Sequence, residues 1–535
     1  MQRNFNRTFL PAALSLAAVC AMSVTPVFAA SCESLSGLTI ANTTITAAKA
    51  VPAGAFTPEG ARQAIPNLPA FCEVHGILKP TPVSKIHFEV WLPETGWNNK
   101  LQVVGNGGLA GTISYPAMAT ALRNNFATAS TDTGHTASEP KEWLENRDRL
   151  IDYSYRGLHL TTVDAKAIVD AFYTQNPKES IYTGCSKGGQ QGLMEAQRFP
   201  ADFDGIVAGD AANYWTHQIQ SELWNGIVTG TAETNLPPAK LQMIQDAVLQ
   251  QCDALDGVKD GLIADHRRCT FDPKKLLCKG ADAPSCLTAA QEAAVEKMYT
   301  GPVNPRTGAK VYAGFYPGNE VGWGGNGRPA VINRKDNSSG VSSFDFTRFA
   351  LLAKPDWVFR TFDFDKDVQA MDEKLAAVSN ATDPNLSEFR KLGHKLFYYH
   401  GAADPLIPAQ NGIDYYESVV AMQGKDGKNG LAETQTFFRA FLVPGLYHCA
   451  GGPGPAAFGT AAAAPVIDAD HDAVSAVSRW VETGAAPDKI IATKYVDNKP
   501  EKGIAMQRPL CAWPLAARYK GTGDTNDAGN FSCVK

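Results

Sequence analysis

The sequence predicts an α/β fold: a mostly parallel sheet with helices on both faces and one large insertion over its strand ends. Three observations predict it. Short apolar, β-rich runs recur at 101–104, 126–130, 181–183, 206–208, 396–399 and 437–443, and they end in or lead into loops bearing glycine or aspartate. Helical periodicity lies between some of them, as at 163–173, where Ala165, Ile168, Val169 and Phe172 are the apolar positions. That rhythm then breaks from about residue 213 to about residue 383. This stretch holds four cysteines, an acidic loop, many glycines and scattered aromatics such as Trp215, Trp224, Tyr316, Trp323, Phe344, Phe346 and Trp357.

Length agrees with that division, because 535 residues are too many for one core of ordinary size. The expected organisation is one domain built from 30–212 and 384–535, with 213–383 inserted where sheet proteins bind ligands, at the carboxyl ends of the strands. A last helix is expected at about 472–483, with Val474, Val477, Trp480 and Val481 on one side and Gly484 as its stop. Hydrophobic residues make up 44% and charged ones 19%, an ordinary globular balance. A net charge of −5 supplies no basic surface for nucleic acid or an anionic membrane, so neither is an expected partner.

Residues 1–29 read as a secretory signal. Arg3 and Arg7 precede an apolar run, and Val27-Phe28-Ala29 provides a small-residue cleavage site. No other stretch is long and apolar enough to span a bilayer, so no membrane association is expected once the signal is cleaved. The expected location is secreted or periplasmic. Eleven cysteines are present and Cys20 lies in the signal, so ten remain in an oxidising compartment, where disulfides are the default.

The chemistry gathers around three strand ends. Residues 181–183 run into Gly184-Cys185-Ser186-Lys187-Gly188-Gly189 and then a helical pattern through Leu193, Met194 and Ala196. A serine on such a strand-to-helix turn is exposed and strained, and the first amide of the helix helps hold an oxyanion. Gly-x-Ser-x-Gly alone is unspecific, and an acid and a histidine further along the chain give it its meaning. Leu396-Phe397-Tyr398-Tyr399-His400-Gly401-Ala402-Ala403-Asp404 is a strand leading to an acid. Phe441-Leu442-Val443-Pro444-Gly445-Leu446-Tyr447-His448 is a strand leading to a histidine. Serine, acid and histidine in that order at strand ends predict an α/β-hydrolase fold with a large inserted lid domain. Ser186 is the expected nucleophile, His448 the base and Asp404 its orienting acid. His400 lies within the strand motif and reads as a structural hydrogen-bonding residue. Gly105-Asn106-Gly107-Gly108 follows an early strand, and the amides of Gly108 and Lys187 are the expected oxyanion donors.

Two further features surround this site. Cys185 directly precedes Ser186 and Cys449 directly follows His448, so a serine and histidine in hydrogen-bond reach would bring the two thiols within disulfide distance. The loop Cys252-Asp253-Ala254-Leu255-Asp256-Gly257-Val258-Lys259-Asp260-Gly261 concentrates three carboxylates, hard donors that suit Ca²⁺. It is not an EF-hand, since Leu255 and Gly257 stand where side-chain oxygens are needed, and a solvated acidic loop is the alternative.

Cys-Ser, then Asp, then His-Cys resembles the signature of the tannase and feruloyl esterase family from about Cys32 to the C-terminus. Arg198-Phe199-Pro200, the Asp256 to Gly261 loop and Val443-Pro444-Gly445 before His448-Cys449 also look like family motifs. The family includes galloyl esterases, hydroxycinnamoyl esterases and mono(2-hydroxyethyl) terephthalate hydrolase. The resemblance implies a lid matching 213–383 and structural calcium held by Asp253, Asp256 and Asp260 plus the Val258 and Leu262 carbonyls. It also implies the pairs Cys32–Cys72, Cys185–Cys449, Cys252–Cys269, Cys278–Cys286 and Cys511–Cys533.

The expected activity is hydrolysis of esters of phenolic carboxylic acids, such as galloyl or feruloyl esters, through an acyl-serine. Aromatic residues of the lid would form the acyl pocket. A terephthalate-monoester hydrolase or another carboxylic-ester hydrolase is the alternative. The lid arginine motif that would grip a terephthalate carboxylate does not align here, and Arg328, Arg334, Arg348 and Arg360 are only candidates. A secreted binding protein on a hydrolase scaffold is the other class, and an intact Ser, Asp and His speak against it.

Overall fold

Nine strands form one sheet in this computed structural model, which describes residues 1–2, 31–325, 330–334, 342–424 and 429–535. The signal expected at 1–29 lies, but for its first two residues, outside the described residues. The strands are β1 (Thr43–Val51), β2 (Phe71–Leu78), β3 (Ile86–Pro93), β4 (Lys100–Val104), β5 (Ala127–Thr131), β6 (Glu179–Cys185), β7 (Gly205–Gly209), β8 (Lys395–Gly401) and β9 (Phe438–Val443). Their spatial order is β1-β2-β3-β5-β4-β6-β7-β8-β9. From β5 to β9 every pairing is parallel. After β1, the order and the single early crossover of β4 and β5 are those of the α/β-hydrolase fold.

The parallel strands are apolar because both of their faces are covered. Every residue of β5 and β7 is buried. Ile206 and Tyr398 pack on one side, with helices Gly157–Tyr173, Lys187–Arg198 and Ala409–Gln423. Val207, Phe397 and Tyr399 pack on the other, with helix Ala473–Thr483. That last helix starts on Asp472, whose carboxylate accepts the Ser475 amide at 2.8 Å, and stops at Gly484 with φ 74°.

The sheet differs from expectation at its N-terminal edge, where β1, β2 and β3 pair antiparallel with one another and β3 with β5. These strands carry charge on one face. Lys49 stands opposite Glu73 and His75 opposite Glu89, with Lys49–Glu73 and His75–Glu73 ion pairs at 3.0 and 3.1 Å.

Among the described residues, none between Gly209 and Lys395 joins the sheet. This insertion builds two apolar clusters of its own. One is aromatic, with Trp215, Phe344, Phe346, Trp357 and Phe359, and also takes in Trp143, Tyr153 and Ile407 from the sheet domain. The other gathers helices Pro238–Cys252 and Ala289–Thr300 around Trp323. The insertion rests on the strand ends: the Asn319 side-chain amide donates to the Asp404 carbonyl at 3.2 Å, and the Gln218 amide donates to the Leu406 carbonyl at 3.0 Å. No helix among the described residues is long and apolar enough to cross a membrane.

Candidate active site

Ser186 sits between β6 and the helix Lys187–Arg198 with φ 66° and ψ −120°, a region that costs a non-glycine residue about 1–3 kcal/mol. The turn is this tight because its neighbours lack side chains. A Cβ on Gly184 would lie 2.5 Å from the Tyr182 hydroxyl, and one on Gly189 would lie 2.2 Å from the Gly209 carbonyl oxygen. The Ser186 amide donates to that same carbonyl at 2.9 Å, which clips the turn to β7.

Asp404 follows β8 and His448 follows β9, and the structure brings both to the serine. His448 Nε2 lies 2.8 Å from Ser186 Oγ, and His448 Nδ1 lies 2.7 Å from Asp404 Oδ2. The other Asp404 oxygen accepts the amides of Leu406 and Ile407 at 2.8 and 3.0 Å, so the carboxylate cannot turn away. Burial by itself would raise the Asp404 carboxyl, but the charge of His448 and hydrogen bonds from His400 and His448 outweigh it. They hold it well below the ordinary carboxylate range. His400 is fully buried, with Nδ1 2.6 Å from the Tyr398 hydroxyl and Nε2 3.0 Å from the Ile407 carbonyl, a structural role within β8.

The segment 105–108 abuts the first turn of the serine helix, where a Cβ on Gly188 would lie 3.0 Å from the Asn106 carbonyl oxygen. The amides two residues to either side of Gly108 are engaged: Asn106 donates to Gln191 Oε1 at 3.0 Å and Ala110 to the Gly107 carbonyl at 2.9 Å. Lys187 is the first residue of its helix, and a helix leaves such an amide unpaired.

The Lys187 side chain is 1% exposed, with Nζ 4.0 Å from the centre of the Tyr153 ring and 2.7 Å from Gln190 Oε1. Burial pushes its ammonium well below the usual lysine range, and the aromatic faces of Tyr153 and Trp215 offset part of that cost.

Five disulfides are present, Cys32–Cys72, Cys185–Cys449, Cys252–Cys269, Cys278–Cys286 and Cys511–Cys533, the same five pairs that the resemblance implies. The second ties the strand end before Ser186 to the loop after His448, with its Cα atoms 5.9 Å apart.

These are the features of one known family, and the comparisons name it. The family model "Tannase and feruloyl esterase" matches residues 72–534. The chain belongs to this family. An uncharacterized esterase of Xanthomonas campestris pv. campestris is 40% identical, over 97% of this chain and 94% of its own. A probable feruloyl esterase B-2 of Aspergillus terreus is 32% identical, over 86% of each chain. Among solved structures, feruloyl esterase B from Aspergillus oryzae superposes with a TM-score of 0.87 at 28% identity, covering 95% of this chain and 100% of that one.

As a tannase and feruloyl esterase family member, the chain carries the acidic loop that the resemblance assigns to calcium. Asp256 is 8% exposed, and Asp260 is paired with Arg508 at 2.6 Å. Asp253 accepts the amides of Asp260 and Gly261, and the Val258 amide goes to Asp256. Burial pushes the Asp256 carboxyl up to about 6, and the Asp260 and Asp253 charges add to the rise. The donors are the hard oxygens Ca²⁺ prefers, but the three carboxylates do not each bring an oxygen within 4.8 Å of the others.

Of the candidate lid arginines, Arg328 lies outside the described residues. Arg334 donates to the Ala330 carbonyl, Arg348 lies over the Phe349 ring, and Arg360 donates to the Gly230 and Arg334 carbonyls. Sequence reasoning passed over Glu222, on helix Trp215–Thr229. Its Oε1 accepts the Gln218 side chain at 3.2 Å. Burial raises its carboxyl, while hydrogen bonds from Ser343 and Gln218 and the charges of Arg334 and His448 oppose the rise. It also passed over Asp210, the first residue past β7.

Proposed function

We propose that this protein hydrolyses esters of phenolic carboxylic acids, such as galloyl or feruloyl esters, through an acyl-Ser186 intermediate. The Ser186–His448–Asp404 relay beneath an aromatic insertion is the observation that carries the reading. Ser186 Oγ attacks the ester carbonyl carbon while His448 Nε2 takes its proton, and Asp404 stabilises the imidazolium. The carbonyl oxygen, now negative, is received by the amides of Gly108 and Lys187. Collapse expels the alcohol, which leaves with the proton from His448. Water then attacks the acyl-serine by the same route and releases the acid.

The relatives named feruloyl esterase support a phenolic over an anionic acyl group. Rates on methyl ferulate, methyl gallate and a terephthalate monoester, measured together, test this. Either phenolic ester should exceed the monoester at least about tenfold in kcat/KM, a difference of about 1.4 kcal/mol. A monoester hydrolysed fastest overturns the substrate class. No turnover of any ester, with no fluorophosphonate labelling of Ser186, overturns the enzyme.

The reading includes export under a signal at residues 1–29 to a secreted or periplasmic location, which the five disulfides support. It also includes a structural Ca²⁺ held by Asp253, Asp256, Asp260 and the carbonyls of Val258 and Leu262, for which three carboxylates in one short loop, with Asp256 buried, are the support. Calcium should raise the melting temperature over EGTA-treated protein by a few degrees, about 2.7 kcal/mol at a hundred times Kd. Asp256→Ala should remove the difference. Equal melting temperatures, with no calcium by elemental analysis, would discard the site.

A further inference from the structure

We infer that Asp210 is a positioning residue, a second buried carboxylate that clamps the loops of Asp404 and His448 together beneath the catalytic relay. The inference rests on the esterase reading above. Asp210 is fully buried directly after β7, with φ 39°. Its own amide donates to the Tyr399 carbonyl of β8 at 2.9 Å, which fixes its backbone against the strand that leads to Asp404. Its two oxygens then divide between the catalytic loops. Oδ1 accepts the Gly401 amide at 2.6 Å, at the end of β8, and Oδ2 accepts the Cys449 amide at 2.7 Å, on the residue after His448.

The second contact falls where the backbone needs it. Cys449 has φ 62°, and the Ala450 amide donates to the His448 carbonyl at 2.8 Å, closing the rare, strained hand of γ-turn around Cys449. Such a turn persists only where its surroundings over-determine it. Two tethers do so here, the disulfide to Cys185 and the Asp210 carboxylate. Asp210 Oδ2 also lies 3.3 Å from Cys185 Sγ, which as a disulfide sulfur has no proton to donate. The carboxylate therefore touches the covalent tether while holding the amide beside it.

Two converging N–H donors explain why the group is a carboxylate. An amide side chain could accept from one of them but would turn an NH2 toward the other. The chemistry is not confined to geometry, because a buried anion raises the proton affinity of a nearby imidazole. Burial and the neighbouring Asp404 charge push the Asp210 carboxyl up, while the charges of His400 and His448 and the Gly401 amide favour its ionised form. Among the described residues, the ionisable groups around Asp210 and His448 include His400, with Nε2 3.8 Å from Asp210 Oδ1, then Asp404, Tyr398 and Tyr399 from β8 and its loop, and Glu222 from the insertion.

Asp210→Asn tests the role on an ester that the wild type hydrolyses. It should lower kcat about 10- to 100-fold with KM within about threefold, since a misplacement of about 1 Å costs that much. The acid limb of kcat/KM should move to lower pH, because one anion has left the neighbourhood of His448. The disulfide should remain, with no thiol reacting in the denatured variant. Asp210→Ser removes the charge without an opposing donor and should shift the limb in the same direction, which supplies the reading where Asp210→Asn does not fold. A kcat within threefold of wild type overturns the role, as does a fall in kcat with the acid limb unmoved, or failure of both variants to fold. A wild type that hydrolyses no ester fails the esterase reading instead, so the two failures are told apart.

Discussion

Ser186→Ala folds as the wild type does and loses kcat/KM on methyl ferulate by about 10⁴-fold or more. Its Oγ is the atom 2.8 Å from His448 Nε2, so its removal leaves the base with nothing to activate but water. The loss is confined to catalysis for a structural reason. The strain at φ 66° belongs to the backbone, and alanine bears it as serine does, at about the same 1–3 kcal/mol. Melting temperature and circular dichroism therefore stay at wild-type values while turnover collapses. What remains is what the proposed oxyanion donors, the amides of Gly108 and Lys187, would still give a bound carbonyl. A variant retaining a tenth of wild-type kcat/KM would show that another group attacks the ester.

Replacing Cys185 and Cys449 together by serine lowers kcat/KM by about 10²-fold or more at a temperature where the variant is still folded. The bond closes a loop with a sequence separation of 264 and joins the two loops that must hold serine and imidazole 2.8 Å apart. Its loss should cost about 2–5 kcal/mol of stability as well, so activity is compared below the variant's melting transition. The γ-turn at Cys449 then relies on Asp210 alone, and a small relaxation of that strain carries His448 with it. Activity within threefold of wild type in the folded variant would make the disulfide a staple of the fold only.

Much of the sheet was legible because its parallel strands are buried on both faces, and such strands read as unbroken apolar runs. The antiparallel edge was not. Lys49, Glu73, His75 and Glu89 sit inside strands where a search for apolar runs rejects them, and their charges are compensated across the register of neighbouring strands and, between His75 and Glu73, within one strand. At the site, the rule that chemistry sits just past a strand end led to Ser186, Asp404 and His448. The same rule applied after 205–209 points to Asp210, whose signal was therefore present. Glu222 and the buried side chain of Lys187 left no such signal. Lys187 is buried chiefly against Tyr153, with Trp215 beyond, and Glu222 takes its character from Gln218, Ser343 and Arg334, contacts made only once the chain has folded.

The Cys185–Cys449 link also sets an order of assembly. Two other pairs, Cys252–Cys269 and Cys278–Cys286, are nested inside it. A chain emerging N-terminus first offers Cys185 the thiol of Cys252 as its next neighbour after Cys72, and the correct partner only after 264 further residues. Premature capture of Cys252 would strand both the acidic loop and the serine turn, so maturation favours a shuffling catalyst over an oxidant alone. The serine meets its histidine only when nearly the whole polypeptide has been delivered, and the unfinished chain is chemically silent until then.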